Sequence, residues 1–302
     1  MDNVTEILDG NTPLVSVLMI TYGQEKYIEE AILSVLKQKI SFKCELVIGN
    51  DCSPDGSHQI ILGLIANNTN SNIDIKYIHN EQNIGMMPNF INIYNMAKGK
   101  YIAFCEGDDY WLNSLRLQKQ VDFLESNLDF NITVGRYNFY YEATNKLKRN
   151  KELFNINKEL KLKDYIAFNF AHTSTFLFRN NFKLPNWIEK VHAGDQSVFV
   201  LAADDKKIKY FNEVFSVYRV HRASVSHVVN PLKAKENTLF FLDKISEYTN
   251  RRFDLLIRHR KLLNKLYYSI SISKNSIQKN LLLGFAIVLR WFGIHVLVKF
   301  VK

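Results

Sequence analysis

Short apolar segments alternate with amphipathic ones along the first hundred residues. The strand-like segments are 14–21, 45–49, 73–78 and 101–105, and the helix-like ones are 24–38, 58–66 and 89–97. The former are short and rich in β-prone residues, whereas the latter carry apolar residues at helical spacing. A regular alternation of strand and helix predicts a parallel sheet with right-handed crossovers.

After residue 111 the pattern becomes mixed. The expected elements are helices at 112–126 and 194–203, strands at 134–141, 173–178 and 208–220, and a polar excursion at 146–161. Beyond Pro231 the pattern is helical, basic and amphipathic. We therefore predict an α/β domain over 1–230, followed by a helical, basic region over 231–302.

The charge of the chain is concentrated at one end. The net charge is +9, yet residues 1–230 carry 25 basic and 26 acidic side chains, whereas residues 231–302 carry 14 and 4. A basic segment beside a neutral domain favours an anionic surface as its partner, either a membrane or a nucleic acid. The N-terminus lacks the basic and apolar segments of a secretion signal, so we expect a cytoplasmic protein.

Three carboxylates follow the strand predicted at 101–105. Glu106, Asp108 and Asp109 lie at the carboxyl end of this strand, where open α/β sheets bind their ligands. Two adjacent aspartates repel each other unless a cation lies between them, and Mg²⁺ prefers one or two carboxylates together with substrate phosphate oxygens. The alternative is an acidic turn that caps the following helix. No Gly-x-Gly-x-x-Gly follows the first strand and there is no Walker A lysine, which argues against a dinucleotide-binding fold or a P-loop ATPase.

Five short motifs occur in order along the first three quarters of the chain. They are 15–22, 48–57, 83–85, 106–109, and 194–195 followed by 218–221. In this order and spacing they resemble the motifs of the family 2 glycosyltransferases, over about residues 13–225. The resemblance implies an inverting enzyme with a GT-A fold, which has a Rossmann-like, mostly parallel central sheet flanked by helices. It also implies a nucleotide half at about 13–111 and an acceptor half at about 112–230.

The resemblance places the nucleotide at the ends of the first two strands. Asp51 would accept a hydrogen bond from the imide N–H of a uracil-type base, and the alternative role for this residue is an Asx turn. Thr21 and Tyr22 would line the same pocket, Tyr22 by stacking on the base. Asn83 and Asp108 complete the implied nucleotide-binding set, and Asp108 would touch the ribose.

The resemblance also implies a divalent cation, Mn²⁺ or Mg²⁺, held by Asp109, Asp108 and His221. The cation would offset the charge that builds on the departing diphosphate. For His221 the alternative is a purely structural histidine. The implied pocket for the donor and acceptor sugars contains Glu106, Trp111, His172 and Thr173.

Asp195 is the implied catalytic base. Inversion by direct displacement needs one carboxylate that takes the proton of the acceptor hydroxyl, opposite the leaving diphosphate. Because Asp195 precedes a predicted helix, a helix N-cap is the alternative role. The family usually has Glu before this Asp, whereas this chain has Gly194.

The resemblance implies a nucleotide-sugar donor, with UDP as the default and GDP or dTDP as alternatives. A hexosyl or N-acetylhexosaminyl group would pass to a glycan or a lipid-linked acceptor in bacterial polysaccharide biosynthesis, such as that of O-antigen or capsule. Region 231–302 would dock on the anionic inner face of the cell membrane, since Arg290 lies near the middle of 281–301 and disfavours spanning.

Two other hypotheses stay open at this point. The basic C-terminal arm could belong to a nucleic-acid-binding protein, although it contains no recognised reader motif and no nucleic acid is expected. The chain could also be a scaffold that binds a nucleotide sugar without turnover. Nucleotidyl transfer is disfavoured because residues 23–26 are a poor version of the Gly-rich, basic loop that it needs.

Overall fold

The computed structural model describes residues 12–150, 159–192, 194–222, 224, 230–273, 275–293, 296 and 298. The strands are β1 Val15–Thr21, β2 Cys44–Asn50, β3 Ile73–His79, β4 Tyr101–Phe104, β5 Tyr110–Trp111, β6 Phe130–Tyr141, β7 Lys146–Lys148, β8 Leu177–Arg179 and β9 Lys207–Val220. The helices are α1 Ile28–Leu36, α2 Ser57–Ala66, α3 Met86–Met96, α4 Arg116–Ser126, α5 Leu162–Ala167, α6 Gly194–Ala203, α7 Pro231–Tyr248, α8 Asp254–Ile272 and α9 Ser276–Phe292. Short 3₁₀ turns lie at Glu142–Thr144, Thr173–Thr175 and Ile188–Lys190.

The first four strands form the parallel half of the sheet, as the sequence predicts. β1 lies between β2 and β4 and is parallel to both, and β3 is parallel to β2. Thr21 and Asn50, the last residues of β1 and β2, are register partners. The carboxyl ends of these strands therefore open at one edge of the sheet, where such folds bind ligands.

The second half of the sheet is mixed. Over the described residues the strand order is β3-β2-β1-β4-β8-β6-β9-β5, with β7 paired to β6. β8 is antiparallel to β4 and β6, whereas the long strands β6 and β9 are parallel to each other. The short β5 is antiparallel to β9, with Tyr110 opposite Val217. This pairing returns the end of β9 to the acidic segment that follows β4.

The structure differs from the sequence prediction at several element boundaries, and α1, for example, is Ile28–Leu36 rather than 24–38. Segment 173–178 begins with a 3₁₀ turn rather than a strand, and β8 starts only at Leu177. α4 begins at Arg116 rather than at residue 112, because 110–111 form β5 and the Leu112 amide donates to the Phe215 carbonyl at 2.9 Å. The polar excursion at 146–161 contains β7, and its residues 151–158 lie outside the described part of the chain.

An apolar core covers each face of the sheet. One core joins the sheet to α1, α2 and α4. The other joins it to α3, α5 and α6 and also contains Phe241, Leu242 and Leu256 of α7 and α8. The predicted C-terminal helices are thus confirmed, and the first two of them pack on the domain. In the described part of the chain, no helix combines the length and the apolar character that crossing a bilayer requires.

Candidate active site

Asp51, which follows β2, holds the loop that contains the third sequence motif. Its buried carboxylate accepts hydrogen bonds from the backbone amides of Ile84 and Gly85, both at 2.8 Å, and from the Asn80 side chain at 3.0 Å. Gly85 has a φ of +94°, a conformation that favours glycine because it has no Cβ. Asp51 therefore anchors a distant loop rather than a local Asx turn, and its contact with a nucleobase stays a prediction.

The other predicted nucleotide-binding residues lie around this anchor. The Asp51 amide donates to the Thr21 carbonyl at 3.0 Å, which joins the tips of β1 and β2. The Thr21 hydroxyl is buried and makes no hydrogen bond with the described residues. Tyr22 is 51% exposed, and Asn83 is exposed on the loop, where its Oδ1 accepts from the Gly85 amide at 3.1 Å. The arrangement leaves a free hydroxyl and an open aromatic face at the edge of the sheet.

Asp108 and Asp109 contact the returning end of β9. The Asp108 carboxylate lies 3.0 Å from Nε2 of His221. Asp109 Oδ1 accepts a hydrogen bond from the Arg219 amide at 3.0 Å, and its Oδ2 lies 3.7 Å from Nδ1 of His172, beyond hydrogen-bonding distance. The pairing of β5 with β9 thus brings the three predicted metal ligands to the same corner of the sheet.

Arg219 is a structural support of this corner of the sheet. Its buried guanidinium donates to the Asp108 carbonyl at 2.8 Å and forms an ion pair with Glu30. The rings of Tyr27 and Tyr110 lie on it, each with the centroid 4.9 Å from the guanidinium carbon. The Arg219 side chain therefore fixes the backbone of the acidic segment, and the Arg219 backbone amide fixes the Asp109 carboxylate.

A cavity of about 570 Å³ lies beside these carboxylates. Its polar wall includes Glu106, Asp108, Asp109, Thr173 and Asp195. The Thr173 hydroxyl donates to Asp195 Oδ2 at 2.8 Å. Asp195 is the second residue of α6, so the fold brings a carboxylate from a distant helix to the acidic segment.

His172 lines the same cavity and is held rigidly. Its Nδ1 lies 2.9 Å from the Ser174 hydroxyl, and its ring packs between those of Tyr137 and Tyr218 at centroid distances of 4.8 and 4.5 Å. Burial lowers the pKa of His172 to about 4, so the imidazole is neutral at pH 7. A neutral ring here can donate or accept a hydrogen bond without adding charge.

Burial raises the pKa values of three carboxyl groups of the cavity, and repulsion by neighbouring carboxylates adds to this rise at Glu106 and Asp109. Burial, together with Asp108 and Asp195, raises the pKa of Glu106 to about 8. Burial, together with the negative charges of Asp108 and Glu106, holds the pKa of Asp109 well above its usual range. Burial also raises the pKa of Asp195, and the hydrogen bond from Thr173 opposes that rise. A cluster of this kind favours the binding of either protons or a cation.

The acidic corner fits a hard divalent cation by its chemistry. In the described residues, no group of three or more His, Cys, Asp or Glu side chains is close enough to hold a metal ion. The donors are nevertheless carboxylate oxygens and one imidazole, and Glu106 Oε2 is buried without a hydrogen-bond partner. Mg²⁺ and Mn²⁺ accept such donors, and either cation would reduce the repulsion between Asp108 and Asp109.

Trp111 lies outside the cavity, which corrects its predicted place in the sugar pocket. Its ring packs 3.9 Å from the Arg116 guanidinium carbon, and its amide donates to the Ser34 hydroxyl at 3.0 Å. It belongs to the core on the opposite face of the sheet. Successive side chains of a strand point to opposite faces, so Tyr110 reaches Arg219 and Trp111 points away from the site.

Some residues of the site escaped the sequence analysis. Asn89 of α3 donates to the Gly49 carbonyl at 2.9 Å and accepts from Asn80 at 3.2 Å. Its position, a polar residue on the apolar face of a predicted helix, could have indicated a buried hydrogen-bonding role. Asn237 and Thr238 of α7 also line the cavity, and no local motif marks them.

Two relatives illustrate what the chain is similar to. An uncharacterized protein of Mycobacterium tuberculosis (strain ATCC 25618 / H37Rv) is 30% identical over 212 residues, which cover 70% of this chain and 60% of that protein. The chain therefore spans less than two thirds of the length of this relative. The putative teichuronic acid biosynthesis glycosyltransferase TuaG of Bacillus subtilis (strain 168) is 34% identical over 122 residues, which cover 40% of this chain and 46% of that protein.

Two solved structures share the fold. S. aureus TarS 1-349 in complex with UDP-GlcNAc superposes with a TM-score of 0.64 at 18% identity, over 95% of this chain and 83% of that one. The mannosyltransferase PcManGT from Pyrobaculum calidifontis, in complex with GDP-Man and Mn²⁺, superposes with a TM-score of 0.58 at 13% identity, over 96% and 86%. These likenesses confirm the predicted GT-A architecture.

The family model described as glycosyl transferase family 2 matches residues 16–183, which is more than half of the chain. That segment contains Asp51, the loop that it anchors, and the acidic segment at 106–109. The chain belongs to glycosyl transferase family 2.

Proposed function

We propose that this protein is an inverting transferase that moves a sugar from a nucleoside diphosphate to a hydroxyl group of a glycan or lipid-linked acceptor. One observation carries the proposal: Asp195, from a helix outside the matched segment, lines the same cavity as Asp108 and Asp109. A carboxylate that faces an acidic, cation-compatible corner across a cavity is the arrangement that direct displacement requires.

Asp195 is the proposed general base. Burial raises its pKa, which makes it a better proton acceptor than an exposed aspartate. Thr173 donates to one oxygen of this carboxylate and so helps to fix its position beside the cavity. The acceptor hydroxyl would give its proton to Asp195 as its oxygen attacks the anomeric carbon of the donor sugar.

The donor nucleotide is proposed to bind at the tips of β1 and β2. Thr21, Tyr22, Asp51 and Asn83 lie together there, and Asp108 connects this edge to the cavity. UDP is the favoured nucleotide because Asp51 suits an imide N–H and because TarS was solved with UDP-GlcNAc. The GDP-Man complex of PcManGT makes GDP the alternative to be tested.

Asp108, Asp109 and His221 are the residues that would hold Mn²⁺ or Mg²⁺. When bound, the cation stabilises the negative charge of the departing diphosphate. Arg219 keeps Asp109 and the backbone of Asp108 in place for this role. Glu106 is proposed to act behind the direct ligands by balancing the charge of the cluster.

Calorimetric titration with UDP, GDP and dTDP, each with and without Mn²⁺, tests the proposal. We expect one nucleotide to bind in a metal-dependent manner and Asp109→Asn to lose that binding. Asp122→Asn, at an exposed position of α4, is the matched control and should bind like the unchanged protein. A folded protein that binds none of the three nucleotides would refute the proposed function.

We further propose that 231–302 docks on an anionic membrane surface, where a lipid-linked acceptor would be presented. Ile277, Leu281, Phe285 and Val288 lie on one face of α9 at helical spacing, and all are exposed. The surrounding region carries most of the chain's excess positive charge, which suits anionic headgroups. The name of the TuaG relative describes a putative glycosyltransferase of teichuronic acid biosynthesis.

Vesicle sedimentation tests the docking. The protein should sediment with vesicles that contain phosphatidylglycerol and less with pure phosphatidylcholine, and Phe285→Ser should weaken the binding. Leu128→Ser, which removes another exposed apolar residue far along the chain, is the control. Equal sedimentation of Phe285→Ser and the unchanged protein would argue against α9 as the docking face.

A further inference from the structure

The cavity beside Asp195 has one apolar wall. Met86, Met87 and Phe90 of α3 form it, together with Ile20 and Phe104 of the sheet. Met87 and Phe90 are buried, so their contact with open space is through the cavity. The polar side chains of the lining come from other segments, namely the acidic segment, residues 172–173, α6 and α7.

Gly194 makes room for this wall. A Cβ atom at position 194 would lie 2.7 Å from Sδ and 2.8 Å from Cε of Met87, closer than nonbonded atoms approach. The Met87 thioether therefore occupies the space beside Asp195 that any longer side chain at 194 would need. The thioether of Met87 therefore lies beside Gly194, the residue that precedes the proposed base.

We propose that this cavity selects a saccharide with an apolar substituent, namely the methyl of an N-acetyl group or of a 6-deoxy sugar, and that this methyl packs on Met86, Met87 and Phe90. The inference rests on the proposed function and specifies its substrate. The substituent can belong to the donor or to the acceptor, since both sugars meet at Asp195.

The chemistry of the wall favours a methyl over a hydroxyl. A hydroxyl placed there gives up its hydrogen bonds to water and finds no donor or acceptor of comparable strength in return. A methyl group loses unfavourable hydration and gains contacts with polarizable sulfur and with an aromatic ring. Discrimination by one such group in an apolar pocket is about tenfold or more.

Paired donors with the same nucleotide provide the first test. Calorimetry at a Mn²⁺ concentration that supports UDP binding compares the affinity for UDP-N-acetylglucosamine with that for UDP-glucose. It likewise compares the affinity for dTDP-6-deoxyglucose with that for dTDP-glucose. We expect the methyl-bearing member of at least one pair to bind about tenfold more tightly. That result supports the proposal and assigns the substituent to the donor.

Paired acceptors provide the second test. With UDP bound, methyl N-acetylglucosaminide is compared with methyl glucoside for binding, and a preference seen only here assigns the substituent to the acceptor. Met87→Gln keeps the length of the side chain and should abolish whichever preference is found, with UDP affinity unchanged. Met96→Gln, at the exposed far end of α3, is the control and should keep it. Met86→Gln repeats the test if Met87→Gln lowers the melting temperature.

Equal binding within every donor pair and within the acceptor pair, with UDP still bound, would overturn the inference and leave the proposed function in place. Loss of the preference in Met96→Gln as well as in Met87→Gln would also overturn it, because the effect would not be local to the wall. A folded protein that binds no nucleotide would overturn both proposals.

Discussion

Replacing Glu106 by glutamine should make the protein more stable at alkaline pH. The pKa of Glu106 is about 8, against an ordinary value of 4.5, so between these values the folded state binds more protons at this site than the unfolded state does. Stability contributed by the protonated group is complete below pH 4.5 and is lost as the pH rises toward 8. Glutamine keeps the shape of the protonated carboxyl and has no charge to lose.

The size of the effect follows from linkage. At about 1.4 kcal/mol per pH unit, the difference in protons bound at Glu106 between the folded and unfolded states lowers the free energy of unfolding by on the order of 3 kcal/mol between pH 5 and pH 8. A change of 1 kcal/mol moves the melting temperature of a domain this large by about 2 °C. We therefore expect the advantage of Glu106→Gln over the unchanged protein to grow by roughly 6 °C across this range.

Urea unfolding at pH 5, 6, 7 and 8 in the presence of EDTA measures the free energy of unfolding without a bound cation. Glu189→Gln, which replaces an exposed glutamate, should follow the unchanged protein at every pH. If the curves of Glu106→Gln and the unchanged protein stay parallel from pH 5 to pH 8, the burial and repulsion assigned to Glu106 are wrong.

Three further outcomes follow from the same geometry. Asp195→Asn should lower kcat by about 10²- to 10⁴-fold and leave UDP affinity within twofold in calorimetry; near-normal turnover would remove Asp195 as the base. Burial raises the pKa of Asp195, and the base must be ionised to act. We therefore expect kcat/KM to fall, as the pH is lowered, with an apparent pKa above that of an ordinary aspartate. A pH–rate profile that is flat down to pH 4 would contradict this. Gly85→Ala should destabilise the fold by about 1–2 kcal/mol in urea unfolding because φ at this position is +94°. Gly63→Ala, inside α2, should instead stabilise the fold by up to about 1 kcal/mol, because no described atom lies within 4 Å of the new Cβ. Equal effects of the two substitutions would refute the role of the backbone at Gly85.

Much of the first half of the fold was predictable because its information is local. Each strand of the parallel half is marked by a run of β-prone residues, and the acidic segment follows β4 directly. Asp108 and Asp109 could therefore be placed at a strand end from sequence. His221 was placed beside them only through the family resemblance, and the supporting role of Arg219 was not predicted. Both residues reach the acidic segment through the pairing of β5 with β9, and a two-residue strand gives no periodic signal.

The missed features share this dependence on long-range contacts. Trp111 looked like a pocket residue by its position after the acids, yet alternation along β5 turns it to the other face. The 3₁₀ turn at Thr173–Thr175 carries the residues that reach Asp195, although its composition predicts a strand. The assignment of Asp51 to a nucleobase remains a prediction, since its observed hydrogen bonds explain only the loop.

The cavity is built from two stretches of chain with different relations to the family. The matched segment ends at residue 183, whereas Asp195 and the α7 residues Asn237 and Thr238 follow it. The helical region after residue 230 thus contributes to the wall of the site through α7. A truncation at the predicted domain boundary would therefore open the cavity to solvent. Under the proposed roles, both stretches contribute to the cation site and to the cavity, since His221 and Asp195 follow residue 183 whereas Asp108 and Met87 precede it. Recombination within the family that exchanged only the matched segment would therefore have to preserve its contacts with the segment that follows.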